Sequence, residues 1–152
     1  MSYVKHVLQP DEQVVFVGKL HWIIYHRAIW YLIAGIIVLL LEDKYWNEQP
    51  AIIVTAAVFG TLTLAAFVHA WFIRWITEVA VTDRRVIYKR GFINRHTIEM
   101  NMDKVATVDV DQSVLGRLLD YGTVYVRGTG LGFEPLRLIA KPIELRNAIV
   151  AK

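Results

Sequence analysis

Six bases, Arg74, Arg84, Arg85, Lys89, Arg90 and Arg95, fall between positions 74 and 95 of this 152-residue chain. Clustered guanidinium and ammonium groups suit anions. One reading is a grip on anionic lipid headgroups, at ~1 kcal/mol per base near a charged surface. The other is a topology signal carried on wet strand faces. Nucleic acid is a poor fit, because the net charge is only +3 and no five like charges run together. His69 is the second candidate. It sits inside an apolar run, where an ionisable group marks either a functional site or a hydrogen bond to a neighbouring helix. The hydrogen bond is the expectation; a redox or transport subunit built on His69 is the third-ranked function.

The remaining chemistry is thin. His21 and His26 are five apart and share no helical face, and no Glu-x-x-His or His-x-x-x-His spacing occurs. Asp109 and Asp111 share one strand face opposite Val108 and Val110, so with Asp103 they are read as the wet side. Ser113 lacks a nucleophile elbow, and residues 128–132 (GTGLG) lack the Lys-Ser/Thr of a phosphate loop. The chain has no cysteine, which excludes disulfides, thiolate metal sites and thiol catalysis. No enzyme, cofactor, metal or small-molecule substrate is expected.

The elements that must position these residues begin with two apolar segments. Residues 51–73 contain no Asp, Glu, Lys or Arg. As a helix they would be roughly 35 Å long at ~1.5 Å per residue, enough to cross a ~30 Å hydrocarbon core. Residues 28–41 form a shorter apolar run. It gains length from residues 22–27 on one side and Tyr45-Trp46 on the other, and no cleavage site follows it, so it reads as retained. Between them lie Glu42, Asp43 and Glu48 against a single Lys44, whereas Lys19, Arg27 and Arg74 flank the outer ends. The positive-inside rule predicts two spans, about 22–42 and 51–74, with a short acidic external turn at 43–50 and both termini cytoplasmic. A small-xxx-small pattern, Ala56 to Gly60, is expected to dock the partner span, with Gly35 facing it.

After Trp75 the period shortens. Six short strand-like runs follow, at 77–82, 85–90, 94–101, 106–110, 122–127 and 136–140, then a helix from Pro142 in which Ile143, Leu145, Ile149 and Val150 are available to pack. Thr82-Asp83-Arg84-Arg85 reads as a tight turn that Asp83 holds through its own downstream backbone. Gly91 and Gly122 are read as sites of positive φ or close backbone approach. Residues 113–119 read as a short helical turn. About 75 residues make a small core, so 13–20 (QVVFVGKL) is expected to add a seventh strand from the N-terminal segment, 1–21, to the domain at 76–152.

The runs Val81-Thr82-Asp83-Arg84-Arg85-Val86-Ile87-Tyr88, Gln112-Ser113, and Leu115-Gly116-Arg117-Leu118-Leu119-Asp120-Tyr121-Gly122-Thr123-Val124 resemble the bacterial pleckstrin-homology-like family of YdbS-like membrane proteins. Asp120 stands where that pattern often has Gly. The resemblance implies a strongly bent antiparallel sheet of about seven strands closed by a C-terminal helix, with paired spans before it. It implies no general enzymatic activity and transfers no ligand residues. The expected function is a non-enzymatic interaction module in the bacterial inner membrane. It would be an accessory, assembly or scaffold component of a membrane protein complex or homo-oligomer. The alternative is an anionic-lipid sensor.

Overall fold

The computed structural model describes residues 7–9, 11–45, 49–91, 96–129 and 135–151. They form two compact units: the described residues of Met1–His21 and Arg74–Lys152, and Trp22–Ile73.

The first unit holds seven strands. β1 (Val14–Gly18), β2 (Glu78–Thr82), β3 (Arg85–Arg90) and β4 (His96–Asn101) form one antiparallel sheet in that order. β5 (Val105–Asp111), β6 (Tyr121–Gly128) and β7 (Leu136–Ala140) form a second. The single seven-stranded sheet expected from the sequence is therefore corrected to two. The break falls at the 3-10 turn Met102–Lys104. There the Met102 N–H donates to the Arg84 carbonyl at 2.9 Å, while the Lys104 carbonyl accepts from Thr129 at 3.1 Å. One end of the turn is thus bonded towards the first sheet and the other towards the second. β1 pairs with β2 from Gly18↔Val79 to Val14↔Thr82, so the segment ahead of the apolar helices supplies an edge strand. Beyond β1 the chain continues to the second sheet. Leu20 bridges Ile139, the His21 N–H donates to Leu138 at 2.7 Å, and Ala140 donates to Lys19 at 2.9 Å.

Alternation in β6 buries Gly122, Val124 and Val126, whereas β2 and β3 are buried almost continuously through Val79, Ala80, Val81, Val86, Ile87 and Tyr88. That is the pattern of strands covered on both faces. Two helices complete the unit: the short α3 (Val114–Leu119) and the C-terminal α4 (Pro142–Val150). The α4 helix starts on Pro142 and packs Leu145 and Ile149 against strands of both sheets. Ile143 and Val150, which the sequence offered for packing, are exposed because they lie off that stripe.

The second unit is a helical hairpin, α1 (His26–Tyr45) and α2 (Gln49–Ile76), entered through a 3-10 turn at Trp22–Tyr25. Both helices are long and apolar enough to cross a membrane. α1 continues through Glu42, Asp43 and Lys44, so the turn is shorter than the sequence suggested; Trp46 and Glu48 lie outside the described residues. Glu42 Oε1 accepts the Thr55 hydroxyl at 2.8 Å near that turn, and Tyr25 stacks on Phe67 at 5.1 Å towards the other end.

The close approach of the hairpin is at Gly35, where an added Cβ would stand 2.7 Å from Phe59 Cβ. Gly60 has nothing within 4 Å of its Cβ position, and Ala56 is exposed. The Ala56–Gly60 pattern therefore does not dock the partner helix, a correction with a plain cause: Phe59 and Thr55, not the small residues, lie on the face turned to α1. Because Phe59 Cβ is fixed to the backbone, Gly35→Val is expected to force the helices apart at a cost of about 1–3 kcal/mol. Gly60→Val should be close to neutral. Thermal unfolding in detergent checks both, and equal midpoints for the two variants would refute the assignment.

Candidate functional site

Strand register divides the basic cluster. Lys89 pairs with Glu78 at one end of the β2–β3 ladder, and Arg90 follows it. Arg84 and Arg85 lie at the opposite end, roughly 13 Å away at ~3.4 Å per residue. Arg74 precedes β2 by a few residues, on the side of Glu78, Lys89 and Arg90. Two groups of bases thus replace one; Arg95 lies outside the described residues.

At the turn end, Arg85 is engaged internally. Its Nε and Nη2 donate to the two oxygens of Glu12 at 2.9 and 2.8 Å. Nη2 also donates to the Val7 carbonyl at 2.8 Å, and Nη1 to Glu99 at 2.6 Å. The Glu12 side chain is fully buried and that of Arg85 is 13% exposed. Glu12 further accepts the Gln9 N–H at 2.9 Å and the Thr82 hydroxyl at 2.7 Å. The Arg85 guanidinium holds the Glu12 carboxyl down at about 2, outweighing burial, which acts the other way, with Gln9 and Thr82 assisting. Arg85 is correspondingly raised, chiefly by its hydrogen bonds to Glu12. A guanidinium with its donors satisfied inside the protein has little left for a headgroup. Arg84 is exposed and reaches Gln9 at 3.5 Å.

The turn itself is held differently from the sequence reading. Thr82 Oγ1 accepts the Arg85 N–H at 3.0 Å, and Asp83 Oδ1 accepts the Gln13 N–H at 3.1 Å, tying the turn to the chain entering β1. Glu12 escaped the sequence reading. It lies 73 residues from its partner, and no local spacing signals such a pair.

His21 marks the other end of the unit. Its ring is buried and stacks on Tyr121 with centroids 5.1 Å apart. Burial pushes its pKa down, against the Leu119 backbone; Arg74 lowers it further and Asp120 opposes. His26 lies with Nδ1 2.9 Å from the Ile23 carbonyl. His69 is exposed on α2, and among the described residues no hydrogen bond joins it to α1, so the bond expected within the hairpin is corrected. Asp109 and Asp111 are exposed beside half-buried Val108 and Val110. Among the described residues no three His, Asp or Glu side chains stand close enough to share a metal ion.

Comparison with known proteins places a match to the bacterial PH domain family over residues 29–151. It takes in α1 from Ile29 onwards and all of α2, as well as β2 to β7, α3 and α4. No curated protein and no solved structure matches the chain.

Proposed function

This chain belongs to the bacterial PH domain family, and from that premise we propose that it is a non-enzymatic interaction module anchored in the bacterial inner membrane. Its role is that of an accessory, assembly or scaffold component of a membrane protein complex or homo-oligomer. The observation that carries this reading is how the chain passes between the units. β1 lies before the apolar hairpin and β2 after it, and the two strands pair. Only Thr77 separates α2 from β2, and Lys19 to His21 separate β1 from the turn that opens the hairpin. A hairpin that spans the bilayer would hold the β unit at its surface by two short crossings. A domain confined in this way meets membrane partners at a raised effective concentration, so weak contacts suffice. Lys19, Arg27 and Arg74 at the open end of the hairpin, against Glu42 and Asp43 at its turn, favour a cytoplasmic β unit.

The test is extraction of the tagged full chain, at native expression, into mild detergent, followed by size analysis and mass spectrometry of co-migrating material. A defined assembly larger than one chain is expected. A lone monomer would sink the reading and favour the alternative, a sensor of anionic lipid. That second reading is supported by Arg74, Lys89 and Arg90 lying at one end of the sheet. It requires anionic lipid to co-purify and to be lost with Lys89→Glu and Arg90→Glu.

A further inference from the structure

The α3 helix is short, firmly held and apolar on the outside. Ser113 caps its first turn by accepting the Gly116 N–H at 3.1 Å. The Gln112 amide donates to the carbonyls of Gly116 and Tyr121 at 3.3 and 3.1 Å. Asp120 closes the helix in the left-handed conformation, at φ 57°, and its carbonyl accepts Lys141 N–H at 3.0 Å. Only Gly116 is buried. Val114, Leu115 and Leu118 are 85%, 61% and 80% exposed. Positions 114, 115 and 118 are one and four residues apart, so the three aliphatic side chains share one helical face. A clamped helix that presents three large aliphatic groups is suited to an apolar medium, since removing each from water is favourable.

The position of the helix within the β unit indicates which medium. Its last residue, Leu119, has its backbone against the His21 ring, and Tyr121, two residues on, stacks on that ring. His21 is the last residue before Trp22, where the first apolar segment begins. Arg74, at the end of the second segment, is near enough to lower the His21 pKa. The C-terminal end of α3 therefore stands at the point where the chain leaves the β unit for the hairpin. The only charge within the helix is Arg117, which is exposed.

We propose that α3 is a membrane-contact helix, in which Val114, Leu115 and Leu118 enter the headgroup–acyl boundary of the bilayer and Arg117 reaches its phosphates. The occupant assigned to the face is lipid and not protein, because the C-terminal end of α3 lies at His21, the residue that leads into the first apolar segment. Arg117 is a base that can meet an anionic leaflet. This rests on the membrane-spanning reading given above. It adds a third attachment to the two chain crossings.

The experiment uses the full chain in nanodiscs of phosphatidylethanolamine and phosphatidylglycerol. The absence of native cysteine allows single-site labelling. An environment-sensitive fluorophore is placed through Leu118→Cys, with Asp109→Cys as an exposed strand control and Leu64→Cys as a reporter in the middle of α2. The Leu118 probe is expected to be blue-shifted, quenched by shallow spin-labelled lipid, and several-fold less accessible to aqueous iodide than the Asp109 probe. Adding Leu115→Asp should return it to water without loss of circular dichroism, because Leu115 is already exposed. Iodide quenching equal to that at Asp109 would overturn the proposal. So would a desolvated probe that spin-labelled lipid cannot reach, since the occupant would then be protein. Failure of the spanning reading shows separately, as absence of deep-lipid quenching at Leu64, and the proposal would fall with it.

Discussion

Glu12→Ala is expected to destabilise the β unit by about 3–5 kcal/mol, the range for breaking a buried ion pair from one side. The Glu12 side chain is fully buried and accepts four hydrogen bonds. Both carboxylate oxygens face Arg85 at 2.9 and 2.8 Å, and the Gln9 amide and Thr82 hydroxyl complete the set. With Glu12 gone, Arg85 keeps Glu99 and the Val7 carbonyl, but a largely buried guanidinium loses its bidentate partner. The same contact sets the acid response. The Glu12 carboxyl lies at about 2 in the folded protein against an ordinary 4.5. The folded value is the lower one. The pair's stabilisation is therefore complete above the unfolded pKa and is lost as pH falls through 4.5 towards 2. The difference corresponds to roughly 3 kcal/mol at 1.36 kcal/mol per pH unit. Denaturant unfolding of the full chain in detergent at pH 7 and pH 3 should show the native protein losing most of that amount. Glu12→Ala should begin low and change much less between the two pH values. Unchanged stability at pH 7 would show that the pair is offset by its own desolvation.

The contrast between β1 and Glu12 shows what a sequence exposes. The run at 14–18 was legible from its β-branched residues, and so were the strands at 78–82, 85–90 and 136–140. Each was written in local composition, rich in Val, Ile, Thr and Tyr or loosely alternating, and separated by turn residues. The short helix at 114–119 and the Pro142 start of α4 were legible for the same local reason. Asp120 also makes sense afterwards. It takes the left-handed cap where the family pattern often has Gly, and Asp is among the few residues that tolerate it. What the sequence hid was non-local. The division into two sheets depends on where the Met102 N–H and the Lys104 carbonyl find partners, and both partners are distant in sequence. The two-ended split of the bases follows from β2–β3 register, which a list of charged residues does not contain. The small residues of α2 misled for a related reason. A one-helix pattern identifies a face that permits close packing, but not which face meets α1; Gly35 against Phe59 decided that.

Gly122→Val is the second large effect expected, and it joins the fold to the membrane-contact proposal. Gly122 lies on the buried face of β6 where β5, the start of α3 and the start of α4 converge. A Cβ there would stand 2.7 Å from the Asp111 carbonyl oxygen, 2.7 Å from Gln112 Cγ and 3.2 Å from Pro142 Cγ. None of these neighbours is free to retreat. Asp111 is in ladder register with Thr123, Gln112 is held by its bonds to the Gly116 and Tyr121 carbonyls, and Pro142 is the buried first residue of α4. Valine adds two methyl groups beyond that Cβ. The penalty belongs at the upper end of the ~1–3 kcal/mol range for overpacking. For a unit of this size that lowers the unfolding midpoint by roughly 10–20 °C, at about 4–8 °C per kcal/mol. The strain should also reach α3, because Gln112 supports it. In a Gly122→Ala protein that still folds, the Leu118 probe should become more accessible to iodide although no residue of α3 has changed. A lowered midpoint with an unaltered probe would mean that α3 is held in place from the lipid side alone.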